Sequence, residues 1–226
     1  MTLKKKQGGP AYNMPKQFDE ISKQIEACKK CKLHKGIRNY VPGIIGLFRP
    51  DIVMVGEAPG AMEDILGEPF VGRSGKILND AMSRLLGLQR GDFSILNSVK
   101  CRPPDNREPT EEEKLKCRPW LLAQLRCIEP TIVVTLGVHG AIAILGERKH
   151  IDELRSHYYR IEEIGCDVVP TFHPMATAYV KARKEAFESD IKSLGELKYR
   201  ESRKDGRCSF PSDAPQGIDG YGIALP

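Results

Sequence analysis

Four short apolar runs punctuate the middle of the chain, at 51–55 (DIVMV), 93–97 (FSILN), 131–136 (TIVVTL) and 166–172 (CDVVPTF). Each is dense in β-branched or other large apolar residues and lacks polar alternation, the pattern of a strand covered on both faces. Between them the period lengthens to that of a helix. In 74–87, Ile77, Leu78, Ala81 and Leu85 share one stripe that Gly87 ends, and 110–128 opens on Thr110 with Glu113 three residues on, a capping-box signature. Segments 138–146 and 178–197 supply two further helices. Strands separated by helices predict an α/β fold, a three-layer α/β/α sandwich around a central, mostly parallel four-stranded sheet. No internal repeat is visible. The periodic pattern fails at both ends, so residues 1–13 are expected to be a basic flexible N-terminus and 199–226 a flexible C-terminal tail. Residues 14–198 are then the folded domain, and Cys208 in the tail is an incidental thiol.

Composition enters mainly by exclusion. A chain of 226 residues, 40% hydrophobic and 29% charged, suits one globular domain and rules out a disordered one. No apolar run approaches the roughly 20 residues of a membrane span, and no apolar segment follows the N-terminal lysines. The expectation is a soluble, intracellular protein with no membrane partner. The net charge of +5 is only mildly basic, but residues 1–38 hold ten basic and three acidic side chains, +7 against −2 for the remainder. Such a stretch is either a solvated tail or a contact for a polyanion. Seven cysteines, an odd number with no secretory signal, argue for metal or catalysis over a disulfide framework.

Four of those cysteines have a metal-site layout. Cys28 and Cys31 form Cys-x-x-Cys; Cys101 follows a strand in KCRPP, and Cys117 stands after fifteen intervening residues, early in an amphipathic helix. Four thiolates from two chain regions close a tetrahedral zinc site or hold a four-iron four-sulfur cluster, and spacing does not choose between them. The polar company of Cys101, between Lys100 and Arg102, argues against apolar core. Cys127 and Cys166 sit in apolar runs and read as core thiols.

In parallel sheets ligands bind beyond the carboxyl ends of the strands, and polar residues collect there. After the run at 51–55 comes GEAPGAMED, a tight turn that exposes backbone N–H groups and carries Glu57, Glu63 and Asp64. In PFVGRSG, Phe70 is a loop aromatic, while Arg73 and Ser74 are placed to meet a phosphate at a helix start. GEPFVGRS departs from the nucleotide phosphate-loop pattern by having Arg73 for lysine. No strand runs into Gly67 and Pro69 removes an amide, so triphosphate binding is not expected. Asn97, at a strand end, has the donor and acceptor set that pairs with a base edge. His173, between Phe172 and Pro174, is a rigidly held donor for developing negative charge.

In combination and in order, GEAPGAMED, PFVGRSG, Asn97 before KCRPPDNREP, LGVHGA, PTFHP and the four cysteines closely resemble family 4 of the uracil-DNA glycosylases, thermostable iron-sulfur enzymes of archaea and bacteria. The resemblance spans about residues 18–197. It implies a 4Fe-4S cluster on Cys28, Cys31, Cys101 and Cys117, ordering loops that approach DNA. It implies hydrolysis of the N-glycosidic bond of uracil in single- and double-stranded DNA, leaving an abasic site with no lyase step. By the same resemblance His173 donates to uracil O2 and Asn97 reads the N3 and O4 edge. Phe70 stacks on the ring, and the backbone of Gly56, Glu57 and Ala58 contacts the base. Glu63 crowds a C5 methyl, and Glu57, Glu63 or Asp64 serves as the carboxylate for water or cation, since Ala58 stands where other uracil glycosylases use Asp. Met175 or Tyr179 replaces the usual wedge leucine. Uracil-containing DNA is the implied partner of a monomeric, cytoplasmic, nucleoid-associated protein. A sliding clamp or downstream repair enzymes are candidate partners for the tail. The rivals are a broader-range iron-sulfur glycosylase and a non-catalytic iron-sulfur DNA-binding module.

Overall fold

The apolar run at 51–55 becomes β1 (Arg49–Gly56) and takes a neighbour on each edge. β2 (Phe93–Asn97) and β3 (Ile132–Leu136) both pair with it in parallel. β5 (Cys166–Thr171) continues in parallel beyond β3, and β4 (Tyr159–Ile161) closes that edge antiparallel to β5. The order is β2-β1-β3-β5-β4. The computed structural model describes residues 16–46, 49–146, 149–155, 157–162 and 164–196. Both expected flexible ends, residues 1–13 and 199–226, lie outside the described residues.

The sheet has five strands and not the expected four. β4 is three residues long, with Arg160 exposed and Tyr159 and Ile161 half-buried, too short and too polar to register as an apolar run. It is delivered to β5 by a turn in which Ile164 N and Gly165 N both donate to the Ile161 carbonyl.

Alternation along the strands divides the core between two faces. Ile52, Met54, Ile95, Ile132 and Val134 meet α3 (Arg73–Leu86) through Leu78 and Met82, and α8 (Lys181–Ser193) through Phe187 and Ile191. Val53, Val55, Leu96, Val133 and Val168 meet α1 (Lys16–Glu26), α4 (Glu111–Ile128) and α5 (Val138–Leu145) on the other side. The three-layer sandwich is as expected. Short helices α2 (Ala61–Leu66), α6 (Ile151–Leu154) and α7 (Pro174–Thr177) complete the fold.

One helix was not anticipated from the sequence, and one expected helix is shorter. Part of the charged N-terminal region is α1, whose Phe18, Ile21 and Ile25 recur at helical spacing and are buried. The helix expected over 178–197 is α8 alone, followed by a 3₁₀ turn at Leu194–Glu196. Thr177 Oγ1 donates to the Pro174 carbonyl at 2.6 Å, closing α7, and Val180 is extended, so Tyr179 is left out of any helix.

Candidate active site

Parallel pairing sets Gly56 opposite Asn97, and the two strand ends all but touch. A Cβ at Gly56 would stand 2.5 Å from Asn97 Oδ1 and 2.6 Å from Phe70 Cε2, so only glycine admits both side chains. Phe70 holds a left-handed backbone, φ 50°, and Arg90 clamps its loop by donating to the Phe70 and Pro69 carbonyls at 3.0 and 2.8 Å. The Phe70 ring faces His173, centroids 6.1 Å apart. Asn97 is 1% exposed, and its Oδ1 has no hydrogen-bond partner. A buried acceptor left open carries a desolvation cost that a ligand donor would repay.

His173 caps α7, with Nδ1 accepting from Met175 N at 3.3 Å. That bond assigns the proton of the neutral ring to Nε2. Burial, and then the neighbouring His139, holds His173 below its ordinary pKa. A Cβ at Gly137, before α5, would stand 3.0 Å from His173 Cβ, so the β3 end reaches the same centre. Gly56, Phe70, Asn97 and His173 are thus one constellation at the sheet's carboxyl edge.

The carboxylates separate. Glu63 Oε1 accepts from Val71 N and Gly72 N at 3.0 and 2.8 Å, and its Oε2 accepts from Gly60 N at 3.2 Å. Asp64 Oδ1 accepts from Arg38 N at 2.9 Å. Both are buried and spent on main chain. The Glu57 carbonyl accepts from Val99 N and Ser98 Oγ, while its half-buried carboxylate has an Oε1 without a hydrogen-bond partner. Burial pushes the Glu57 carboxyl up; His139 opposes this, Glu108 adds to it and Lys114 opposes it. Nδ1 of His139 lies 4.0 Å from Glu57 Oε1 and 3.0 Å from Glu108 Oε1. Ligand atoms of these three residues all fall within 4.8 Å of one another. His139 is the site residue to which sequence reading gave no role, although LGVHGA follows a strand and so opens on the ligand edge.

Arg73 and Ser74 open α3 beside this edge. Arg73 is exposed and donates to Tyr179 OH at 3.0 Å. The segment from Gly67 to Ser74 joins the C-cap of α2 to the start of α3, so no strand feeds it, as expected for something other than a phosphate loop.

The four cysteines line one cavity. Cys28 follows α1, Cys31 precedes a 3₁₀ turn at Lys32–Lys35, Cys101 follows β2 and Cys117 lies in α4. Against expectation Cys101 is buried, 7% exposed, in a small apolar cluster with Leu33 and Val99; the flanking Lys100 is itself 1% exposed. Lys100 Nζ donates to the Asn97 carbonyl at 2.6 Å, and Lys100 N donates to Cys117 Sγ at 3.3 Å. That lysine joins the cysteine cavity to the strand end. Trp120 Nε1 donates to Cys28 Sγ at 3.4 Å. Burial pushes the thiols of Cys31 and Cys101 up and that of Cys117 up to about 11, each raised further by its fellow cysteines. Such a cluster of sulfurs becomes thiolate when a cation takes their charge. Cys127 and Cys166 are core thiols, as expected.

Residues 42–195 match the family model of the Uracil DNA glycosylase superfamily. Among relatives, a type-4 uracil-DNA glycosylase of Archaeoglobus fulgidus is 44% identical over 80% of this chain and 92% of its own. Those of Saccharolobus solfataricus and Thermotoga maritima are each 40% identical, over 79% and 72% of this chain and 85% and 84% of theirs. The chain belongs to the type-4 uracil-DNA glycosylase family. A type-5 uracil-DNA glycosylase of Mycobacterium tuberculosis is 36% identical over only 43% of the chain.

Proposed function

We propose that the protein hydrolyses the N-glycosidic bond of uracil in DNA, releasing the base and leaving an abasic site as the first step of base excision repair. The observation that carries this reading is the open, buried Oδ1 of Asn97 against Phe70 and Gly56. An extruded uracil stacks on Phe70 and gives its N3–H to Asn97 Oδ1, while the Asn97 amide donates to O4. Cytosine has an acceptor at N3 and a donor at C4, so both contacts fail. The turn at Gly56, Glu57 and Ala58 offers its N–H groups to the base. Glu63 acts here through the loop: by holding Val71 N and Gly72 N it fixes Phe70 in place.

Cleavage moves the C1′–N1 bonding pair onto the base. His173, neutral with its proton on Nε2, donates to O2 as that anion develops. Water then attacks C1′ and passes its proton to Glu57, since Glu63 and Asp64 are engaged by main-chain amides. Lys100 Nζ is taken by the Asn97 carbonyl, which leaves no Schiff-base lysine in this scheme and supports a monofunctional glycosylase. Arg73 and Ser74 meet a phosphate. Tyr179, 73% exposed and braced by Arg73, fills the gap of the extruded base in preference to the half-buried Met175.

Cys28, Cys31, Cys101 and Cys117 hold a 4Fe-4S cluster. They line one cavity and come from two chain regions, a thiolate set of the kind such a cluster takes. When bound the cluster supplies a cross-link between the segment after α1 and the one after β2. The protein works as a monomer on DNA in the cytoplasm; clamp binding by the tail concerns residues outside those described. Oligonucleotides with one uracil, thymine or hypoxanthine, in single-stranded and duplex form, test the function. Release of uracil alone is expected, and tight DNA binding without base release would identify a binding module instead.

A further inference from the structure

Glu57 has an unusual surrounding for a general base. Its Oε1 is enclosed and makes no hydrogen bond, and His139 Nδ1, also enclosed, contacts carboxylates on two sides without an aligned hydrogen bond to either. The imidazole comes from the first turn of α5, which is pressed onto the end of β1: a Cβ at Gly140 would stand 2.6 Å from the Val55 carbonyl. On its far side His139 meets Glu108, from the loop after Cys101, and Glu108 is held in turn by Lys114 Nζ of α4 at 2.6 Å. A chain of charged groups thus runs Lys114, Glu108, His139, Glu57, from the α4 surface to the strand end. His173 is also close enough to sense His139.

We propose that His139 is a positioning residue for Glu57: anchored by Glu108, it sets the orientation of the Glu57 carboxylate that accepts the proton of the attacking water. This rests on the reading of Glu57 as the proton acceptor. A rigid α5 turn supplies the orientation, since Oε1 of the Glu57 side chain on the β1 turn has no hydrogen-bond partner of its own. The imidazole also opposes the burial that pushes the Glu57 carboxyl up. Lys114 acts in the same sense and Glu108 in the opposite one, so loss of His139 leaves Lys114 alone to offset Glu108.

The test is single-turnover uracil release from a single-stranded oligonucleotide, from about pH 5 to about pH 9, for wild type, His139→Leu, Glu57→Gln and the double variant. His139→Leu is expected to lower the rate roughly 10- to 100-fold and to move the rising acid limb to higher pH, with unchanged affinity for abasic product DNA. In the Glu57→Gln background the same replacement is expected to cost little further, because both changes remove one function. Glu108→Gln, at a half-exposed side chain, is expected to lower the plateau rate about 3- to 10-fold with little change in melting temperature. Additive losses in the double variant, or superimposable pH profiles for wild type and His139→Leu, would overturn the positioning role while leaving the glycosylase assignment intact. A wild type that releases no uracil would overturn the function and this inference with it.

Discussion

At the scale of single residues the site works by leaving a few polar atoms open and binding all the rest. Asn97 Oδ1 and Glu57 Oε1 lack partners, whereas the oxygens of Glu63 and Asp64 are claimed by backbone. His173 is the residue on which the leaving base depends. His173→Ala is expected to reduce excision about 100- to 1000-fold with a much smaller change in DNA affinity, read by single-turnover kinetics and by binding to undamaged DNA. Its pH behaviour has a definite sign. The folded value lies below the ordinary one, mainly through burial, so the unfolded chain binds more protons in the interval between them. The stability tied to neutral His173 is present above about pH 6.5 and is lost as pH falls below it. Melting temperature against pH should therefore have a shallower acid slope in His173→Ala than in wild type. Equal slopes would mean that the ring is not held neutral by the fold.

At the scale of elements, the turn and helix between β1 and α3 act as one unit tied by Glu63. Its carboxylate caps the start of α2 at Gly60 and the approach to α3 at Val71 and Gly72, three buried or half-buried amides on one side chain. Glu63→Ala removes charge-assisted bonds and leaves those amides unpaired, so a loss of about 2–4 kcal/mol in unfolding free energy is expected from denaturant titration. Uracil release should fall as well, because Phe70 sits between the two anchor points. Activity lost with stability unchanged would mean that Glu63 touches the base and is not a loop anchor. Arg90 reinforces the same loop from the other side.

Across the whole molecule, a parallel sheet brings four strand ends to one edge, and a cysteine cavity stands beside it. Lys100 is the joint between the two, its amide on Cys117 and its ammonium on the Asn97 carbonyl. Cys101→Ala is expected to reduce bound iron, bleach the visible absorption of the purified protein and lower its melting temperature, since metal-binding free energy is folding free energy in such sites. A colourless wild-type protein carrying zinc would contradict the cluster.

The order of strands and helices was legible in the sequence because buried parallel strands leave unbroken apolar runs, and helices leave a longer period. The four cysteines, Asn97 and His173 were legible too, because each falls at a strand end or in a characteristic spacing. β4 escaped, being short, polar and stabilised only by the edge of β5. α1 was masked by its charge, since its three apolar positions matter only once α4 covers them. Three carboxylates in one turn look alike in sequence. Only the fold decided that Glu63 and Asp64 face amides while Glu57 faces His139, because hydrogen-bond partners come from segments far away in the chain. The same reason hid His139 and Lys100: their meaning lies in contacts across elements, and periodicity reports burial but not which neighbour a buried atom meets.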